Sequence, residues 1–321
     1  MASYISRRLL QTIPILLIIS VIGFAIIYAT GDPLAAYTVD SSLTGDDIAR
    51  LKTKYGLDQP VPIQYLNWLK NLAIGDWGTS YYTREPTTTV IFETLPNTLI
   101  LVAISYTITL ILSIILGVYT ALRQYSVFDH VTTAASFVGI AMPSFWFGLM
   151  LIIVFSVKFK EWGLPYTPVG GMFDFREGFS TGQLLWHTIL PVATLSFVMM
   201  ARYVRYIRAS MLEQLKLEYV RTARAKGLSE VTVLFKHSFK NVLIPVITLI
   251  GLDIPSLLSG AIVVESIFAW PGMGRLFWNS AQNTDIPPLM GLLMFVAVLT
   301  VLSSLIADIL YAAVDPRIRY S

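Results

Sequence analysis

Asp253 is a carboxylate inside the apolar run VLIPVITLIGLDIPSLLSGAIVV, residues 242–264. A charged side chain at the middle of a membrane span costs about 2.5–3.5 kcal/mol on insertion scales. Pro245, Gly251, Pro255 and Gly260 in the same run free backbone groups that only neighbouring helices or water can satisfy. The segment is therefore expected to face protein or a cavity. Two roles fit the carboxylate: a place in or beside a translocation path, or a structural hydrogen bond to a neighbouring span. A second apolar stretch, 131–157, is interrupted by Met142-Pro143-Ser144. Pro143 is expected to kink it, and Pro143 and Ser144 join Asp253 as candidates for the path.

The other stretch that could act on a partner is KLEYVRTARAKGLSEVTVLFKHSFKNVLIP, 216–245. Over 202–240, nine Lys/Arg stand against three acids, Glu213, Glu218 and Glu230. Arg202, Arg205 and Arg208 recur every third residue and share a helix face, expected as a solvated or headgroup-facing stripe. From Glu218 and Tyr219 through Arg221 to Gly227 a short helix is expected, with Thr222, Ala223 and Ala225 as a small-residue side between cations. Gly227 fits the left-handed position that closes a helix, and Ser229 can cap the next one. A short helix held away from the membrane in this way can lie in a groove on a partner. The plainer alternative is a surface helix in a loop.

Residues that would carry catalysis are missing from the sequence. It has no GxxxxGK[ST] phosphate loop and no HExxH. There is no cysteine, hence no thiolate metal site and no disulfide. His130, His187 and His237 fall on different sides of the membrane or near its edges, so they do not converge on one metal. The chain is expected to bind no cofactor and to be no enzyme.

Charged residues make up 13% of the chain and hydrophobic residues 55%, about half the charge of a soluble domain. The chain therefore reads as an all-α integral membrane protein. Six spans are expected: 9–30, 97–122, 131–157, 186–201 (short, but able to continue past Arg202), 242–264 and 287–313. The first is too long for a signal peptide. With both ends inside, 14 Lys/Arg lie inside and 9 outside, the bias the positive-inside rule requires. The organisation expected is an N-terminus and first span (1–30), an external helical subdomain (31–96), a five-span core (97–313) carrying the insert 202–240, and a tail (314–321) inside. In the subdomain, Thr44 and Asp47 form a capping-box pattern, and a second amphipathic helix follows over 61–74.

At this point the residues resemble a known family. The insert is similar to the cytoplasmic coupling motif of ABC importer permeases, usually EAA, three residues, Gly. Anchored on Gly227, the three motif positions are Arg221, Thr222 and Ala223, of which only the alanine and the glycine match. The peptide/nickel branch carries this variant, with RTARAKGL followed by a longer spacer to Val242-Leu243-Ile244-Pro245. Gly31-Asp32-Pro33, AMPSFWFGL (141–149), YTPVGG (166–171), VVESIFAWPGMGRL (263–276) and DPRIRY (315–320) also resemble that branch. The resemblance covers essentially the whole chain, and the B-type permease of dipeptide and oligopeptide importers fits best.

The resemblance implies a type I ABC importer permease fold in the cell (inner) membrane. It implies a second, related permease as partner, two cytoplasmic ATP-binding subunits holding ATP and magnesium, and an external substrate-binding protein; nucleic acid is not expected. Glu218 to Gly227 would be the ATPase contact. Nickel chelates or oligosaccharides are alternative cargoes of the same architecture. An ion-coupled secondary transporter would instead need several ionisable residues within spans and internal repeats. The sequence offers two acids there, Asp253 and Asp308, no base and no repeat.

Overall fold

The computed structural model describes residues 2–29, 31, 34, 44–243, 246–247, 249–250, 253 and 261–314, with side chains described between residues 10 and 305. Among the described residues every regular element is helical. The one β feature there is an isolated bridge between Thr79 and Pro86. In chain order the helices are α1 (Ala2–Ala29), α2 (Gly45–Lys54), α3 (Val61–Ala73), α4 (Thr87–Leu122), α5 (Val127–Ala141), α6 (Ser144–Leu151), α7 (Thr181–Gln214), α8 (Glu218–Ala225), α9 (Ile262–Ile267), α10 (Met273–Gln282) and α11 (Ile286–Val314). Past α6 the chain continues through a π-helical stretch, Ile152–Lys158; a second, Val233–Phe239, follows α8.

Among the described residues, four helices are long and apolar enough to cross a membrane, over Leu10–Ala29, Thr87–Leu122, Thr181–Gln214 and Ile286–Leu305. A fifth span results if α5 and α6 count as one, and that pair is bent by 108°. The break lies where Pro143 forces Met142 out of the helical region, to φ −80° and ψ 124°. The segment expected to span at 186–201 belongs to a 34-residue helix that runs on past Arg202 without a break. The expected span 242–264, with Pro245, Gly251, Pro255 and Gly260, lies largely outside the described residues, as do Asp32, Pro33 and the tail from 315.

The chain divides into two compact units. One takes residues up to Thr98 and Pro271–Leu305. Here Thr44 caps α2 as expected: the Asp47 N–H reaches the Thr44 hydroxyl at 3.3 Å and the Asp47 carboxylate accepts from the Thr44 N–H at 3.0 Å. The Thr44 hydroxyl and N–H hold the Asp47 carboxyl below its ordinary range. Tyr65 and Trp68 of α3 pack on Phe24 of α1, beside Tyr81, Ile286 and Met290. The Ser20 hydroxyl joins Tyr65 at 2.9 Å. Buried Asp285 accepts from the Ser80 hydroxyl and the Tyr81 N–H.

The second unit takes Leu99–Trp270 and the described part of 306–319. On α4, Ser105, Thr109, Ser113 and Thr120 are buried, while Leu99, Ile108, Ile111, Leu112 and Ile115 are exposed. This polarity is the reverse of a soluble helix and is what lipid selects: hydroxyls face other helices and apolar residues face outward. The Ser196 hydroxyl of α7 donates to the Ser105 carbonyl at 2.9 Å. Helix α7 approaches so closely that a Cβ at Gly117 would sit 2.8 Å from Ile207.

Candidate functional site

Two places in the second unit gather the residues singled out by the sequence. The first is α8. Glu218 sits in its first turn, where a negative charge suits the helix dipole, and the Thr222 hydroxyl bonds back to the Glu218 carbonyl at 2.9 Å. Gly227 has φ +76°, the left-handed conformation that favours glycine. Its N–H reaches the Arg224 carbonyl at 2.9 Å, and that of Leu228 reaches the Ala223 carbonyl. Ser229 caps the next turn by accepting from the Thr232 N–H at 3.3 Å. Arg224 braces that turn through two bonds to Glu230 at 2.9 and 3.2 Å.

The structure corrects the expected small-residue side at Ala223. Val220 and Ala223 are buried together against Val233, with Tyr219 packed beside them. Arg221, Thr222, Ala225 and Gly227 are exposed, and they form the outward face. Tyr219 ties α8 back to its neighbours: its hydroxyl donates to Gln214 at 2.6 Å and accepts from Asn241 at 3.0 Å.

The second place is a cavity of about 360 Å³ whose lining includes Val102, Ile140, Ser144, Thr194, Arg202 and Asp253. Ser144 and Asp253 are thus brought together. Pro143 does not line it; it makes the break from which Ser144 starts α6. Asp253 is buried and ion-paired with Arg202. The Tyr203 hydroxyl donates to the same carboxylate at 2.6 Å, and Tyr106 joins Tyr203 at 2.6 Å. The carboxylate is thus hydrogen-bonded to a neighbouring helix and also borders a cavity.

The arginine stripe is exposed at Arg202 and Arg205, as expected, but each of its three members also has a protein partner. Arg202 meets Asp253, Arg205 lies over the Phe137 ring with its centroid 4.5 Å away, and Arg208 grips Asp129 through two bonds at 2.6 and 2.8 Å. The expectation of no base within the spans is also corrected, since Arg202 lies within the span-length helix Thr181–Gln214 and pairs with Asp253. The period-three spacing put the three arginines on one face but did not name their partners, which tertiary packing supplies. Among the described residues no group of His, Asp and Glu could hold a metal ion.

Comparison with known proteins adds the family. Residues 113–320 match the family described as "Binding-protein-dependent transport system inner membrane component", and residues 1–102 match that described as "Binding-prot-dependent transport system membrane comp, N-term". The chain is 47% identical over 322 residues to the oligopeptide transport system permease protein AppB of Bacillus subtilis, covering 100% of both chains. It is 37% identical to the di/tripeptide transport system permease protein DppB of Pseudomonas aeruginosa, over 100% of this chain and 99% of that one. It is 35% identical to the dipeptide transport system permease protein DppB of Alkalihalophilus pseudofirmus, with 100% of both covered. Apolar helices with inward hydroxyls, a capped helix presenting a basic face, and a match that runs the length of the chain agree on one assignment: the protein belongs to the binding-protein-dependent transport system inner membrane component family.

Proposed function

We propose that this chain is one of two permease subunits of an ATP-driven importer of short peptides. The observation that carries the cargo is full-length similarity, at 47% and 37% identity, to permeases named for oligopeptides and di/tripeptides. Six spans with both termini in the cytoplasm fit the distribution of Lys and Arg, and the helices of 31–96 then form an external subdomain. The exposed face of α8 (Arg221, Thr222, Ala225 and Gly227, flanked by Glu218 and Tyr219) is the contact for a cytoplasmic ATPase subunit. The second ATPase docks on a related permease, and ATP and magnesium are held by those partners. An external binding protein delivers the peptide. The cavity of Ser144 and Asp253 lies on the path, and the bend at Pro143 shapes it. A neutral Arg–Asp pair suits a cargo carrying one ammonium and one carboxylate, because neither end meets an uncompensated like charge.

The test uses the complex reconstituted in liposomes with its ATPases and binding protein. Di- to pentapeptides are expected to stimulate ATP hydrolysis and to accumulate inside. Stimulation by a nickel chelate or an oligosaccharide instead would keep the architecture and replace the cargo. Peptide uptake driven by an ion gradient without ATP would overturn the reading.

A further inference from the structure

Helices α5 and α6 both contact α7, and the contacts run in opposite order along the two stretches of chain. A Cβ at Gly148 would sit 3.5 Å from the Thr194 methyl, and one at Gly139 only 2.9 Å from the Ala201 Cβ. Next comes Phe137 under Arg205, and last Asp129 against Arg208. Small residues at the first contacts let the backbones close. The final contact is of another kind. The Asp129 side chain is 3% exposed and that of Arg208 25%. The guanidinium engages both carboxylate oxygens, from Nε at 2.6 Å and Nη2 at 2.8 Å. The same carboxylate accepts from the Tyr125 N–H at 2.9 Å, in a turn where Tyr125 has φ +64°. The Ser126 hydroxyl caps the start of α5 by accepting from the Asp129 N–H. Asp129 thus closes the loop before α5 and fastens α5 to α7 with one side chain. Six residues beyond Arg208, Gln214 ends α7 and receives the Tyr219 hydroxyl of α8.

We propose that Asp129 and Arg208 are positioning residues of the transport cycle. Their ion pair makes the inner ends of α5 and α7 one rigid joint, so that displacement of α8 reaches α5 and the bend at Pro143 instead of being absorbed between the two helices. The inference rests on α8 being the ATPase contact. A bidentate Arg–carboxylate pair fixes direction as well as distance, which a joint under load needs and apolar packing alone does not supply. Lysine at 208 would keep the charge and lose the fork.

The experiment compares Arg208→Gln, Asp129→Asn, the double variant and Arg208→Lys in the reconstituted complex, at matched amounts of assembled protein. Tripeptide uptake and tripeptide-stimulated ATP hydrolysis are read together. Each neutral single variant is expected to lower peptides imported per ATP by about tenfold. The double variant should fall no further than the singles, and Arg208→Lys, the substitution least able to disturb folding, should lie between them and the parent. A parallel fall in uptake and hydrolysis at constant ratio would overturn the proposal, since a purely structural loss behaves that way. So would losses that multiply in the double variant, or a ratio unchanged in Arg208→Lys and both singles. Gly227→Asp serves as the separate check on α8: if it leaves ATPase binding and stimulation intact, the docking reading falls, while the ratio measured for the pair is still read on its own.

Discussion

Asp253 meets the cost of its setting by pairing with Arg202 and accepting the Tyr203 hydroxyl. Removing one partner leaves the other charge beside an apolar wall. Because the Arg202 side chain is 54% exposed, the loss is smaller than for a sealed pair, about 1–3 kcal/mol. Asp253→Asn is therefore expected to lower both thermal stability and peptide uptake. Asp253→Leu combined with Arg202→Met removes both charges together and is expected to regain stability but not transport. Melting curves and uptake on the same preparations separate the two effects, and full uptake by the double variant would remove the pair from the path. The hydrogen-bonded and cavity-lining readings of Asp253 were both legible in the sequence. Its partner was not, because Arg202 lies 51 residues away and only tertiary packing pairs them.

Within α8, Ala223 and Ala225 look alike in the sequence and behave oppositely in the fold. A step of one residue turns a helix by about 100°. Ala223 therefore points roughly away from Ala225, while Thr222 and Ala225 share a face. Helical spacing alone would have separated them. Ala225→Trp is expected to leave membrane insertion and melting temperature unchanged and to abolish capture of the ATPases. Ala223→Trp should force Val220 and Val233 apart and cost about 1–3 kcal/mol of stability. Detergent-extracted complexes assayed for melting and for ATPase retention decide this, and the same result for both alanines would contradict the two-faced helix. The element's ends were easier to read. Thr44, Gly227 and Ser229 cap or close where their types require, because capping is local and depends on a few adjacent residues.

At the scale of the whole molecule, α4, α7 and α11 lie where the hydropathy places spans. Apolar length alone did not give the end of α7 at Gln214, although the helical spacing of Arg202, Arg205 and Arg208 pointed to its continuation past Ala201. Nor did it show the 108° bend, because proline marks where a helix breaks and packing decides by how much. Orientation is the remaining large-scale property, and the absence of cysteine makes it accessible. Single cysteines at Lys70 and Lys226 are expected to react with a membrane-impermeant maleimide from opposite sides, Lys70 in intact cells and Lys226 only in inverted vesicles. Labelling of both from one side would refute the topology.

The break before α6 has one more consequence. Its first turn has no side-chain cap, so amide hydrogens at Ser144, Phe145 and Trp146 have no helical carbonyl to meet. They fall near the middle of the apolar stretch 131–157. A backbone donor in apolar surroundings is costly unless met, so these amides call for a partner from a neighbouring helix or from water. The corner that turns the chain at Pro143 therefore also leaves three backbone donors to be met from outside the helix.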